Sequence, residues 1–155
     1  MAKQHHYQLT TVWTGNLGQH TQDYRSYSRN HDYRIDGKPV LAASSDPAFR
    51  GDPQRHNPED LLLAAVSGCH MLWYLHLCAE AGIAVQSYED QAEGTMLLEA
   101  DGRGYFSAIT LKPQILLAKG DIAQAEALHA QAHHYCFIAN SLNFEVQCHS
   151  QIRLA

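Results

Sequence analysis

The chain has 155 residues, of which 45% are hydrophobic and 17% charged, with a formal charge of −5. That length suits one domain, residues 1–155, able to bury roughly 70% of its unfolded surface. The acidic balance argues against a dedicated nucleic-acid binder, which would carry a basic face, and no stretch has a disordered composition.

The amino-terminal MAKQHHYQLTT is polar and lacks the apolar run of a secretory signal, so a cytoplasmic location is expected. YQLTTVW alternates as a strand, and QDYRSYSRN, rich in Tyr with polar partners, reads as a second. DYRIDGKPVL carries Asp36-Gly37, a strong hairpin signal. SSDPAFRGDPQRH follows as a Pro/Gly/Asp loop that presents Arg50 and Arg55. Asn57 then caps a helix with Pro58 at its first position and Glu59 and Asp60 in its first turn, where acids suit the dipole. Gly82 ends it. At 1.5 Å per residue the helix is roughly 36 Å long. It is apolar nearly all round, so it needs more cover than one small sheet provides, and a second copy of the chain is the expected source. Leu61 to Leu77 nears the length of a membrane span, but His70 and His76 interrupt it, so no membrane association is expected.

Two long strands, IAVQSYEDQAEGTMLLEA and GYFSAITLKPQILLA, are joined at DGRG as a hairpin. DIAQAEALHAQAHHY has Ile122, Ala125, Leu128 and Ala132 at helical spacing behind the cap Asp121. NFEVQCHSQI closes the chain as a strand. The order βββ-α-ββ-α-β predicts an α+β domain with antiparallel sheet.

The four cysteines, Cys69, Cys78, Cys136 and Cys148, are widely scattered, which argues against a structural disulfide framework in the expected compartment. By spacing alone, the commoner role of Cys69 is inert packing, since free cysteine behaves as a small hydrophobe. Cys78 stands nine residues further, on the opposite face and about 13 Å along the axis, too far for a disulfide within one helix. Cys136 lies where the second helix gives out. A short helix opening after it would aim backbone N–H groups at its sulfur and favour the thiolate. Cys148 falls in the terminal strand and, in the simplest reading, faces the core.

NPEDLLLAAVSGC, with the distal cysteine of CFIANSLNF, the early VWTGNLG and the approach GDPQRHNPED, resembles the OsmC/Ohr family of thiol-dependent hydroperoxide reductases over nearly the whole chain. Its most specific part is the Asn-Pro-Glu start with a cysteine ten residues after the glutamate. The resemblance implies an OsmC-like fold, in which antiparallel sheets wrap long central helices in an intertwined homodimer. It implies Cys69 as the peroxidatic cysteine and Cys136 as the resolving one. The Cys69 thiolate would attack the distal oxygen of an organic hydroperoxide, giving an alcohol and a sulfenic acid. Cys136 would condense with that acid to a disulfide, which an external dithiol reduces. The family holds its thiolate with an arginine clamped by the glutamate of the Asn-Pro-Glu start, so Glu59 takes that role. Arg50 is favoured as the arginine, as in the OsmC branch; Arg25, Arg29 and Arg34 are the alternatives by the Ohr pattern.

In a straight helix Glu59 stands about 15 Å and roughly 80° from Cys69. Either the helix breaks near Ser67-Gly68, or the glutamate and its arginine act together with a partner subunit. The family commonly has proline after the distal cysteine, whereas Phe137 stands here, which weakens the resolving role of Cys136. His70 points about 100° from Cys69 and reads as structural or pocket-lining. Leu61, Leu62, Trp73 and Phe137 form a candidate apolar substrate pocket. Eleven histidines invite a metal reading, with His129, His133, His134 and Cys136 close in sequence. HAQAHH lacks the glutamate of a zincin motif, so no resident metal and no cofactor are expected. The competing function is a non-catalytic OsmC-fold dimer that binds a small molecule or serves a stress response.

Overall fold

A computed structural model describes Met1–Ala155, and the chain divides into two compact units, residues 1–61 and 62–155. In the first unit, β1 (Thr10–Trp13), β2 (His31–Arg34) and β3 (Leu41–Ala43) form an antiparallel sheet in sequence order. The Asp36-Gly37 turn forms as expected: Gly37 has φ 75° and the Lys38 N–H donates to the Ile35 carbonyl at 3.0 Å.

QDYRSYSRN is not a strand. Asp23 accepts the Arg25 N–H at 2.7 Å, and the Arg29 guanidinium donates to the Tyr24 and Tyr27 carbonyls at 2.6 Å each. The same guanidinium lies 4.3 Å and 4.1 Å from the centroids of those two tyrosine rings. A turn-forming Asp and one arginine shared by two cation–π contacts hold the segment as a loop, and these outweigh its β-favouring tyrosines. The loop before the helix contains one 3-10 turn, Pro47–Phe49, capped by Asp46, whose carboxylate accepts the Ala48 N–H at 2.7 Å.

Helix α1 runs unbroken over Pro58–Glu80. Asn57 and Asp60 cap it reciprocally: Asn57 Oδ1 accepts the Asp60 N–H at 2.8 Å, and Asp60 Oδ2 accepts the Asn57 N–H at 3.2 Å. At its end the Ile83 N–H donates to the Cys78 carbonyl at 2.9 Å, a closure that needs the left-handed Gly82, φ 71°. By length and composition alone, α1 could cross a membrane. Its buried residues, Val66, His70, Tyr74 and Cys78, recur every fourth position and define the face turned to the core.

In the second unit each expected long strand is divided. The first becomes β4 (Ala84–Asp90) and β5 (Glu93–Leu98), the second β6 (Gly104–Leu111) and β7 (Pro113–Lys119). The inner pair β5–β6 is the hairpin expected around Asp101-Gly102, and β4 pairs antiparallel with β7. Asp90 occupies the break. Its carboxylate accepts the Lys112 N–H at 2.7 Å and the Ser67 hydroxyl of α1 at 2.6 Å, supplying a bond that the ladder loses there.

Helix α2 (Ile122–Tyr135) starts at Asp121, which accepts the Gln124 N–H at 2.7 Å. After it the terminal strand is also divided: β8 (Val146–Cys148) and β9 (Gln151–Leu154) pair parallel with β6 and β7 respectively. The sheets are therefore mixed rather than purely antiparallel, because the return from β7 passes through a helical crossover that reverses the chain. Val66, Ile109, Leu111 and Val146 form one core cluster, on the earlier half of α1. Tyr74, Cys78, Ile83, Ile115, Leu117, Ala125, Leu128 and Ala132 form the other, between its later half and α2. Each fully buried aliphatic side chain there contributes about 1.5–3 kcal/mol.

Candidate active site

Cys69 sits half-buried on α1, one position before the buried His70. Cys136 is the buried C-cap of α2, in extended backbone with φ −65° and ψ 107°. The Cys69 thiol lies near enough to Cys136 to add to the upward shift of its pKa, and no disulfide joins them. A single 3-10 turn, Ala139–Ser141, follows Cys136. Its geometry does what the sequence suggested: the Ala139 N–H points at Cys136 Sγ, 3.5 Å away. The electrostatic outcome differs from that expectation, because burial dominates and pushes the Cys136 thiol up to about 11, against the opposing pull of the backbone N–H. Cys136 is therefore a protonated thiol at neutral pH.

The segment around Cys136 is fixed by its own hydrogen bonds. The Cys136 carbonyl accepts the Asn140 N–H at 3.0 Å, Asn140 Nδ2 donates to the His134 carbonyl at 2.9 Å, and the Ser141 hydroxyl donates to the Phe137 carbonyl at 2.8 Å. Trp73 lies one helical turn beyond Cys69 on the same face of α1. Its ring meets Tyr135 stacked at 5.1 Å and Phe137 edge-on at 5.5 Å, so it touches both sequence neighbours of Cys136. Cys69, Trp73, Cys136 and Phe137 are thus drawn to one place, where a thiol pair lies beside an aromatic wall.

Leu62 is not part of that wall. It precedes Trp73 by eleven residues of continuous helix, about 16 Å along the axis, so one chain does not gather Leu62, Trp73 and Phe137 into a single pocket. Leu61 instead lines an apolar cavity of about 390 Å³ within the first unit, with Leu9, Tyr33, Ile35 and Leu41. Sequence proximity suggested one pocket; the helical rise separates its members.

In the first unit, Arg50 is exposed at the end of the 3-10 turn, in the left-handed region with φ 66°. Glu59 is half-buried in the first turn of α1. No ion pair joins them within the single chain; the paired arginines are Arg34, 3.3 Å from Asp32, and Arg55, 3.8 Å from both Asp32 and Asp52. Because α1 is unbroken through Ser67-Gly68, a local helix break cannot bring Glu59 to Cys69. His129 does not join Cys136 as the sequence grouping suggested. It faces His70 and Cys148, a convergence across three elements that no local spacing announces.

Residues 51–150 match the OsmC family, described as OsmC-like protein. An uncharacterized protein of Bacillus subtilis strain 168, YmaD, is 23% identical over 97% of this chain and 96% of its own length. An OsmC-like protein of unknown function from Vibrio cholerae O1 biovar eltor superposes with a TM-score of 0.84 at 30% identity, covering 97% of this chain and all of that one, 100%. An organic hydroperoxide resistance protein from Elizabethkingia anophelis, determined with thiocyanate bound, superposes with a TM-score of 0.69 over 99% of this chain and 100% of its own. At 18% identity that likeness is one of fold. The α+β, OsmC-like fold expected from the sequence is the fold observed.

Proposed function

Since this chain belongs to the OsmC-like protein family, we propose that it is a thiol-dependent peroxidase that reduces organic hydroperoxides to alcohols. The observation that carries the reading is the proximity of the half-buried Cys69 to the buried Cys136, with Trp73, one turn beyond Cys69, packed on both neighbours of Cys136. The hydroperoxide resistance protein of similar fold supports the substrate class.

In the proposed cycle, the Cys69 thiolate attacks the distal oxygen of ROOH. The O–O bond breaks, Cys69 becomes a sulfenic acid, and the departing alkoxide takes a proton to leave as ROH. The Cys136 sulfur then displaces hydroxide from the sulfenic sulfur, its own proton leaving with that hydroxide as water, and a Cys69–Cys136 disulfide results. An external dithiol returns both cysteines to thiols. Keeping Cys136 protonated suits this order, because a resting thiolate there would repel the charge needed on Cys69. Trp73 and Phe137 offer an apolar surface to the R group, favouring bulky hydroperoxides over hydrogen peroxide.

The reading includes a cytoplasmic homodimer. Half-buried apolar residues of α1, Leu62, Leu63, Leu75 and Leu77 among them, leave the helix only partly covered in one chain. Arg50 and Glu59, which form no ion pair within one chain, are proposed to meet in the dimer, where the guanidinium would stabilise the Cys69 thiolate.

The test is turnover of cumene hydroperoxide with dithiothreitol or a lipoyl dithiol. Cys69→Ser should abolish it, and intact mass after one equivalent of hydroperoxide should show loss of two hydrogens, mapped to a Cys69–Cys136 link. Turnover that survives Cys69→Ser rules the cycle out. A parent protein without turnover favours the non-catalytic reading.

A further inference from the structure

His70 lies next to Cys69 in sequence but on another face of α1, where it is buried against α2. Its Nε2 is 3.0 Å from Nδ1 of the buried His129, and Cys148 Sγ of β8 stands 3.8 Å from the first nitrogen and 3.6 Å from the second. We propose that these three atoms form one face of a tetrahedral zinc site. Zinc bonds of about 2.0–2.1 Å to nitrogen and about 2.3 Å to sulfur, at tetrahedral angles, set N···N near ~3.3 Å and N···S near ~3.6 Å. The three observed edges depart from those values by at most roughly 0.3 Å.

One N–H···N bond accounts for the 3.0 Å edge between the histidines but not for Cys148 Sγ standing against both nitrogens. Two neutral rings facing through nitrogen share one proton, so a single donor serves them, and a third soft atom is nevertheless aimed at the same point. His129 Nε2 is buried without any partner, so the pair is not a fully satisfied polar network. Burial disfavours the charged form of both rings, so each is a neutral imidazole, and an ion between them would displace the proton they share. Zinc takes cysteine as the thiolate, so Cys148, which feels the charges of the Asp90 and Glu126 carboxylates, must give up its proton to the ion. Binding one zinc ion would release that proton, leaving a net charge of one positive unit beside the same two carboxylates.

Two imidazoles and a thiolate form a borderline-soft donor set that suits zinc and disfavours magnesium or calcium. The trio opens on a cavity of about 500 Å³ whose lining also includes Glu126, His133 and Glu145. A water molecule or one of these side chains would complete the tetrahedron from that side. Such an ion would tie α1, α2 and β8 together at one point.

The site uses neither thiol of the proposed peroxidase cycle, so the two readings fail separately. The full-length protein, reduced with a phosphine and stripped with chelator, is titrated with cobalt(II) and then with zinc(II). One cobalt per chain is expected, with a thiolate charge-transfer band and tetrahedral d–d absorption, both lost on adding one equivalent of zinc. Cys148→Ser should lose the charge-transfer band, while Cys69→Ser/Cys136→Ser keeps it. If Cys148→Ser does not fold, His129→Gln should shift or abolish the same absorption. No thiolate band in the parent, a band that survives Cys148→Ser, or a band that disappears with the Cys69/Cys136 pair overturns the assignment.

Discussion

Removing the Asp90 side chain should cost the fold about 3 kcal/mol. Asp90 accepts a backbone N–H from Lys112 and the hydroxyl of Ser67, at 2.7 Å and 2.6 Å. A hydrogen bond to a charged acceptor is worth about 1.5–3 kcal/mol, and the lower half applies here because water can partly reach all three residues. Asp90→Ala therefore loses about 3 kcal/mol, whereas Asp90→Asn, which keeps an acceptor for the Lys112 N–H, loses about 1 kcal/mol. Ser67→Ala alone costs about 1–1.5 kcal/mol and almost nothing once Asp90 is alanine, so the double-mutant cycle returns about 1–1.5 kcal/mol of coupling. Urea unfolding at fixed protein concentration measures all four proteins, and an unchanged m-value shows that the native surface is intact. If Asp90→Ala stays within about 0.5 kcal/mol of the parent, or if Ser67→Ala costs the same in both backgrounds, then Asp90 does not bridge the hairpin break to α1.

Other expected outcomes are simpler. Burial raises the Cys136 thiol from 9.0 to about 11, so its stabilising contribution is complete below pH 9 and disappears as the pH climbs through about 11. Melting temperature should accordingly fall with alkaline titration, and less steeply in Cys136→Ala; equal slopes would contradict the burial argument. Asn57→Ala removes half of a reciprocal cap and should destabilise the protein by about 1 kcal/mol, read by the same urea series. Trp73→Ala should raise KM for cumene hydroperoxide while leaving hydrogen peroxide kinetics nearly unchanged; an equal loss with both substrates would separate the aromatic wall from substrate choice.

The helix boundaries were legible because their chemistry is local. Asn57-Pro58, Asp121 and Gly82 each satisfy backbone groups within a few residues, so the sequence alone carries the signal. Gln22–Asn30 was not legible as a loop, because its tyrosines suit a strand and the deciding partner is one arginine clasping two of them. The divided hairpin was equally hidden: Asp90 and Lys112 meet only after folding, 22 residues apart. At the site, the pairing of Cys69 with Cys136 was expected from the family resemblance alone, and Trp73 and Phe137 from their apolar character. The His70–His129–Cys148 trio did not, since its members stand 59 and 78 residues from one another along the chain when counted from His70.

The paired parallel strands β8 and β9 impose an order on assembly. One stretch of chain, Val146–Leu154, fastens to β6 and β7, which belong to different sheets, and each pairing spans dozens of intervening residues. Contacts of such long range come late, after loop closure has been overcome. During synthesis, β6 and β7 must wait with one ladder side bare until Val146–Leu154 has left the ribosome. That interval is when the protein is most open to strand-to-strand misassociation, and deleting Val146–Leu154 would make the exposure permanent.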